Sequence, residues 1–194
     1  APVIKNRFIT FGSFNNYNKI NDDVIEVWLN ILKKIPNSKL ILKSSTKKEN
    51  DKFENLLEKE NLDKSVIFLP TAKNFEDHMN LYKNIDVALD TFPWNGVTTT
   101  FEAIWMGIPV VTMKGYNFNS RCGESINKNI QMSELIAKNK EDYVSKVLGL
   151  TSDIKKLLNI RKQIFNNALS SPLFDTQKFS NDFFKLIKNT QIKH

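Results

Sequence analysis

Apolar residues are laid along this chain in two ways, as short continuous runs and as stripes recurring every three or four positions. The runs RFITFGSF (Arg7 to Phe14), KLILK (Lys39 to Lys43), Val66 to Leu69, DVALD (Asp86 to Asp90) and IPVVTM (Ile108 to Met113) read as strands. The stripes lie between them. Val24, Val27, Trp28, Ile31, Leu32 and Ile35 form one face of a helix that Asn21 or Asp22 caps and Pro36-Asn37 stops. Lys47 to Asn61 is highly charged, with Phe53, Leu56 and Leu57 as its apolar stripe, which predicts an outer helix. Asn74 to Asn84 predicts a helix with Phe75, Met79 and Tyr82 inward, and FEAIWMG a short apolar one. After Met113 the strand pattern stops. GYNFNSRCGESIN reads as loop and short helix, and QMSELIA as another short helix. Glu141 to Gly149, Asp153 to Leu169 and Gln177 to Lys188 read as longer helices, the last with Phe179, Phe183 and either Leu186 or Ile187 on its stripe.

Strands alternating with helices at this spacing predict an α/β fold, a Rossmann-like parallel sheet wound on both faces. One domain over 1–194 is expected, with 139–194 as a C-terminal helical extension packed on it. Right-handed crossovers put the first strand beside DVALD, at the switch in strand order. The loop FNNYNK then lies next to TFPWNGVTTT.

Composition narrows the function classes. The net charge of +7 is mostly lysine, dispersed through the predicted helices. A solvated lysine-rich surface is the plainer reading, and a nucleic-acid groove the alternative. Cys122 is the single cysteine, so an internal disulfide is impossible and its reading is a small packing residue. No run reaches the ~18–20 apolar residues of a membrane span, and the opening APVIKNRF has no apolar signal-peptide core. A cytoplasmic protein is expected, and the start without methionine fits a fragment of a longer one. The signatures G-x-G-x-x-G, G-x-x-x-x-G-K-[ST] and H-E-x-x-H are all missing.

The chemistry gathers in Asp86 to Met113. Strand, loop, helix, strand is a βαβ unit, and the loop containing Pro93, Trp94 and Gly96 sits at the carboxyl end of a strand, where open sheets bind ligands. Thr98, Thr99 and Thr100 add hydroxyls to a helix N-terminus, which favours an anion. Thr99 and Glu102 also match a capping box, in which both side chains only satisfy helix-end amides. Lys19, past the first strand, either meets a diphosphate as a point charge or is one more solvent lysine. Glu102 can accept from a ribose diol. His78 either stacks on a base or lies at the surface; the other histidine is the terminal His194. Trp94 is a lid over the core or a sugar platform.

FNNYNKI, LDTFPWNGVTTTFEAIWMGIPVVTM, ELIAKNKEDYV and SSPLFDTQKF, in this order, resemble the C-terminal half of the catalytic region of the O-GlcNAc transferase/SPINDLY family, in a bacterial-type member. The resemblance runs from about Phe8 to the last helix. It implies the C-terminal, donor-binding domain of a GT-B glycosyltransferase. By resemblance, Lys19 is the lysine on the donor diphosphate that helps the leaving group, and Asn16 stands where O-GlcNAc transferase has a glutamine. His78 matches the base-stacking histidine, Thr98 and Thr99 the phosphate-binding pair, and Glu102 the acidic residue at the ribose. Val97 replaces the histidine that precedes the threonines in the animal enzymes. The loop around Lys73 to Phe75 is one residue longer than the family pattern. TFP resembles the SPINDLY branch, whose plant members use GDP-fucose.

The function this implies is the donor half of a protein O-glycosyltransferase that needs neither cofactor nor metal. The expected donor is UDP-GlcNAc, with GDP-fucose as the alternative, and the acceptor a Ser or Thr hydroxyl of a protein. The implied partners are an upstream catalytic domain and TPR repeats of the same protein, without which the fragment is expected not to transfer sugar. A non-catalytic nucleotide-sugar sensor is the competing reading from another class.

Overall fold

The structure is a computed structural model describing residues 1–43 and 47–191; His194 and residues 44–46 lie outside the described residues. Helix α1 (Pro2–Asn6) leads into β1 (Thr10–Ser13), a short 3-10 turn over Tyr17–Lys19, α2 (Asp22–Lys34), β2 (Lys39–Lys43) and α3 (Lys47–Lys59). Then come β3 (Val66–Leu69), α4 (Phe75–Leu81) with a 3-10 turn over Tyr82–Asn84, β4 (Val87–Leu89), α5 (Thr98–Trp105) and β5 (Val110–Met113). The rest is α6 (Cys122–Asn129), β6 (Ile136–Ala137), α7 (Lys140–Thr151), α8 (Ile154–Ser170) and α9 (Thr176–Gln191).

The six strands form one sheet in the order β3-β2-β1-β4-β5-β6, and every pair is parallel. This is the doubly wound Rossmann order, with the reversal between β1 and β4. The expected neighbours meet there, Phe11 opposite Val87 and Gly12 opposite Ala88. Right-handed crossovers leave β1 and β4 in opposite directions, so α2 and α5 cover opposite faces. The loops after β1 and β4 diverge at the same edge and leave a crevice.

Periodicity places the α2 face correctly: Val24, Val27, Trp28, Ile31 and Leu32 are buried, and Asn21 is the cap, its side chain accepting from the Val24 amide at 2.9 Å. Phe53 and Leu57 of α3 are buried likewise. Two expectations fail. Phe75 occupies the first helical position beside the Asn74 cap, outside the turn that brings Met79 and Tyr82 onto the core, and is 70% exposed. The strands also do not stop at Met113. Within QMSELIA, a 3-10 turn over Ser133–Leu135 gives way to β6, whose Ile136 and Ala137 pair with Thr112 and Met113. A two-residue strand has no alternation of its own and exists through β5, which is why the local pattern reads as helix.

Asp86 does more than start a strand. Its buried carboxylate accepts from the Val3 and Thr10 amides at 3.0 and 2.9 Å, which ties α1 to the sheet. On the C-terminal side, α7 packs on α2 and β5, and α8 on α5. On α9, Phe179, Phe183, Phe184 and Leu186 are exposed. Among the described residues, no helix is long and apolar enough to cross a membrane.

Candidate functional site

The crevice is organised by Asp90, the residue that follows β4. One carboxylate oxygen accepts from the Thr91 and Gly96 amides at 2.9 and 2.7 Å and from Asn15 Nδ2 at 3.3 Å. The other accepts from Thr112 Oγ1 of β5 at 2.7 Å. One side chain thus closes both ends of the 91–96 loop and joins it to the β1 loop and to β5. Asp90 is 1% exposed, and burial pushes its carboxyl up to about 6, although the Gly96, Thr112 and Thr91 hydrogen bonds and the Lys19 ammonium pull it down. Asn95 is a second internal clamp. Its side chain donates to the Thr91 and Met113 carbonyls at 2.9 and 3.3 Å and accepts from the Gly123 amide at 3.3 Å.

Gly96 lies where a side chain cannot. A Cβ there would sit 2.5 Å from Thr99 Oγ1 and 2.9 Å from both Asn15 Oδ1 and Thr100 Oγ1. Gly96→Ala is therefore expected to lower the unfolding free energy by about 1–3 kcal/mol, the usual range for overpacking. Urea melts check this, and an unchanged midpoint would mean that the loop yields freely.

The helix behind the loop starts at Thr98 with Val97 as its cap residue and no side-chain cap. The capping box does not form. Thr99 Oγ1 donates instead to Asn15 Oδ1 at 2.9 Å, and the Glu102 carboxylate turns to α4. The amides of Thr98 and Thr99 have no hydrogen-bond partner among the described residues, which leaves the positive helix end open beside them. Thr98 is exposed, Thr99 half-buried and Thr100 buried.

Lys19 reaches the loop that leads into this end. It closes the 3-10 turn, and its Nζ donates to the Asn95 carbonyl at 3.0 Å and lies 5.1 Å from the centroid of the Trp94 ring. Trp94 is 55% exposed on the outer side of the loop, so it is no lid over the core. Asn16 is exposed and its side chain accepts from the Asn18 amide at 3.0 Å, capping the turn that carries Lys19. Its neighbour Asn15 is the one that enters the crevice. Nothing in the run FNNYNK distinguishes the two asparagines.

His78 and Glu102 meet. His78 Nε2 lies 2.8 Å from Glu102 Oε2, and the Tyr82 hydroxyl lies 2.9 Å from that same oxygen and 3.1 Å from the Thr99 carbonyl. Phe14 sets its ring edge-on to both, at 6.3 Å from His78 and 4.8 Å from Tyr82. Burial and the Glu102 carboxylate push the Tyr82 hydroxyl far above its ordinary value, so it stays protonated. Cys122 is buried at the start of α6, as a packing residue would be. Among the described residues no cluster of three His, Cys, Asp or Glu side chains is placed to hold a metal ion.

The profile of glycosyl transferase family 41 matches residues 3–183. The chain belongs to glycosyl transferase family 41. A probable UDP-N-acetylglucosamine–peptide N-acetylglucosaminyltransferase SPINDLY from Hordeum vulgare is 40% identical over 93% of the chain. Its counterpart in Solanum lycopersicum is 37% identical over 97%. The chain spans about a fifth of these relatives, 20% and 21% of their lengths. Among solved structures, a Thermobaculum terrenum O-GlcNAc transferase mutant superposes with a TM-score of 0.88 at 29% identity, over 94% of this chain and 36% of that one. The family 41 chain thus has the Rossmann-like fold of GT-B glycosyltransferases.

Proposed function

We propose that this family 41 chain is the donor-binding half of a protein O-glycosyltransferase, and that it holds the diphosphate of UDP-GlcNAc without a divalent metal. The observation that carries the reading is that, at the sheet's switch point, Lys19 is anchored on the Asn95 carbonyl of the loop that leads into the open Thr98 and Thr99 amides. Cleavage of the anomeric C–O bond leaves negative charge on the diphosphate, and fixed donors where that charge grows lower the barrier. Lys19 and the α5 N-terminus supply those donors from the protein itself. Trp94, beside Lys19, offers a flat face to the sugar, and the His78–Glu102 pair lies on the other flank for base and ribose. The names of the plant relatives point to UDP-GlcNAc and the SPINDLY-like TFP to GDP-fucose, and titration with both nucleotides decides between them.

Transfer needs the acceptor hydroxyl within about 3–3.5 Å of the anomeric carbon. We assign that positioning to an upstream domain of the same protein, facing this crevice. Calorimetric titration of the chain with UDP, GDP and their sugar conjugates in excess EDTA is the test. UDP is expected to bind, and more tightly than GDP. Tighter GDP binding would transfer the reading to a GDP-sugar, and no heat from either at millimolar ligand would end it.

A further inference from the structure

On one face the β2–β3 half of the sheet is open. Side chains alternate along a strand, and residues paired in register on neighbouring parallel strands share a face. Phe11, Leu40, Leu42 and Val66 share one face and are buried, and Phe53 of α3 stands edge-on to Phe68 there at 6.0 Å. Thr10, Lys39, Ile41, Ile67 and Leu69 share the other. They line a cavity of about 550 Å³ together with Phe8, residues of α1 and the turn at Lys83 and Asn84. The crossover helix α4 has seven residues, and none of them lines it. Ile67 is left 42% exposed inside its strand. A parallel sheet ordinarily carries a packed layer on both faces, so this half lacks a cover.

The lining also sets the chemistry of that cover. Lys5, Lys39 and Lys83 belong to it, and among the described residues no carboxylate does. Lys5 and Lys83 are exposed and form no ion pair among the described residues, and Lys39 Nζ donates to the Lys64 carbonyl at 2.6 Å. An apolar floor with ammonium groups around it is the complement of a helix that is apolar on one face and acidic at its borders. The exposed helix α9 of a second copy does not fit, because its Lys178, Lys185 and Lys188 would meet these lysines. We infer that the open half-face of β2 and β3 is a docking site for an amphipathic, acid-bordered helix of a partner protein. That helix takes the layer that α3 takes on the opposite face. The cavity shares no lining residue with Lys19, Trp94 or the α5 N-terminus, so the inference does not depend on the donor-binding reading.

Two helix-locked peptides with the same leucine face, one bordered by glutamates and the other by lysines, test it on the methyl-labelled chain by nuclear magnetic resonance. The glutamate peptide is expected to shift the methyl signals of Ile41, Ile67 and Leu69 and to bind about tenfold or more tightly than the lysine peptide, since like charges brought together disfavour the wrong partner. Two variants at exposed positions, where the fold is undisturbed, locate the contact. Ile67→Glu is expected to weaken the glutamate peptide about tenfold or more, through lost apolar contact and added repulsion. Lys5→Glu combined with Lys83→Glu is expected to reverse the order of the two peptides. Equal affinity of both peptides, an unchanged order in the double variant, shifts confined to the apolar residues of α9, or no shift at millimolar peptide each overturns the inference.

Discussion

Lys19→Ala is expected to weaken UDP binding about ten- to a hundredfold and to leave uridine binding nearly unchanged. A charge-assisted hydrogen bond is worth roughly 1.5–3 kcal/mol, which is this range of affinity. The ammonium does not wander in bulk solvent. It is held at the lip of the crevice by the Asn95 carbonyl at 3.0 Å and the Trp94 ring at 5.1 Å. A donor already fixed near its target loses little freedom on binding, so most of its interaction appears as affinity. The same tether brings a control. If Lys19 served only to hold the 91–96 loop, UDP and uridine would weaken together, and the thermal midpoint would fall with them. Parallel titrations of the two ligands separate the cases.

Asp90 is expected to show the largest effect on stability. Asp90→Ala leaves the buried Gly96 amide and the Asn15 amide group without their acceptor, at about 1–3 kcal/mol for each unsatisfied donor. Asp90→Asn keeps the shape and one oxygen, so it isolates the charge. Burial raises this carboxyl from 3.8 to about 6 in the folded chain, so the folded state binds the proton more tightly than the unfolded state. The stability that this protonation contributes is complete below the unfolded value and is lost as pH rises through about 6. Between about pH 4 and pH 7 the unsubstituted chain should lose roughly 2–2.5 kcal/mol more than Asp90→Asn does. Urea unfolding of both proteins at several pH values measures the difference. Parallel pH profiles would show that the hydrogen bonds at Asp90 fully offset its burial.

What could be read from the sequence is what short-range spacing encodes. The α2 stripe, the Asn21 cap, the βαβ unit around Thr98 and the β1–β4 adjacency all follow from local periodicity and the handedness of crossovers. What could not be read depends on partners far away in the chain. Asn15 and Asp90 are 75 positions apart, and Asn15 and Thr99 are 84 apart. No local pattern prefers Asn15 to Asn16 for the crevice. Thr99 and Glu102 have capping-box spacing, yet the helix cap lies two residues earlier, at Val97, and the two side chains pair with Asn15 and Tyr82 instead. Tyr82 is correctly inward by its stripe, but a stripe says nothing of where a hydroxyl points. β6 is missed because its pairing lies in β5.

The loop over residues 91–97 has an inner and an outer set. Thr91, Phe92, Asn95 and Gly96 are buried, while Pro93, Trp94 and Val97 are exposed, as is Thr98 at the helix start. The inner set carries the scaffold and the outer set carries the rim, so the two can drift at different rates. A change of sugar could be written at positions 94, 97 and 98 over an untouched foundation. A library randomised there alone would explore new donors without asking the fold to be solved again.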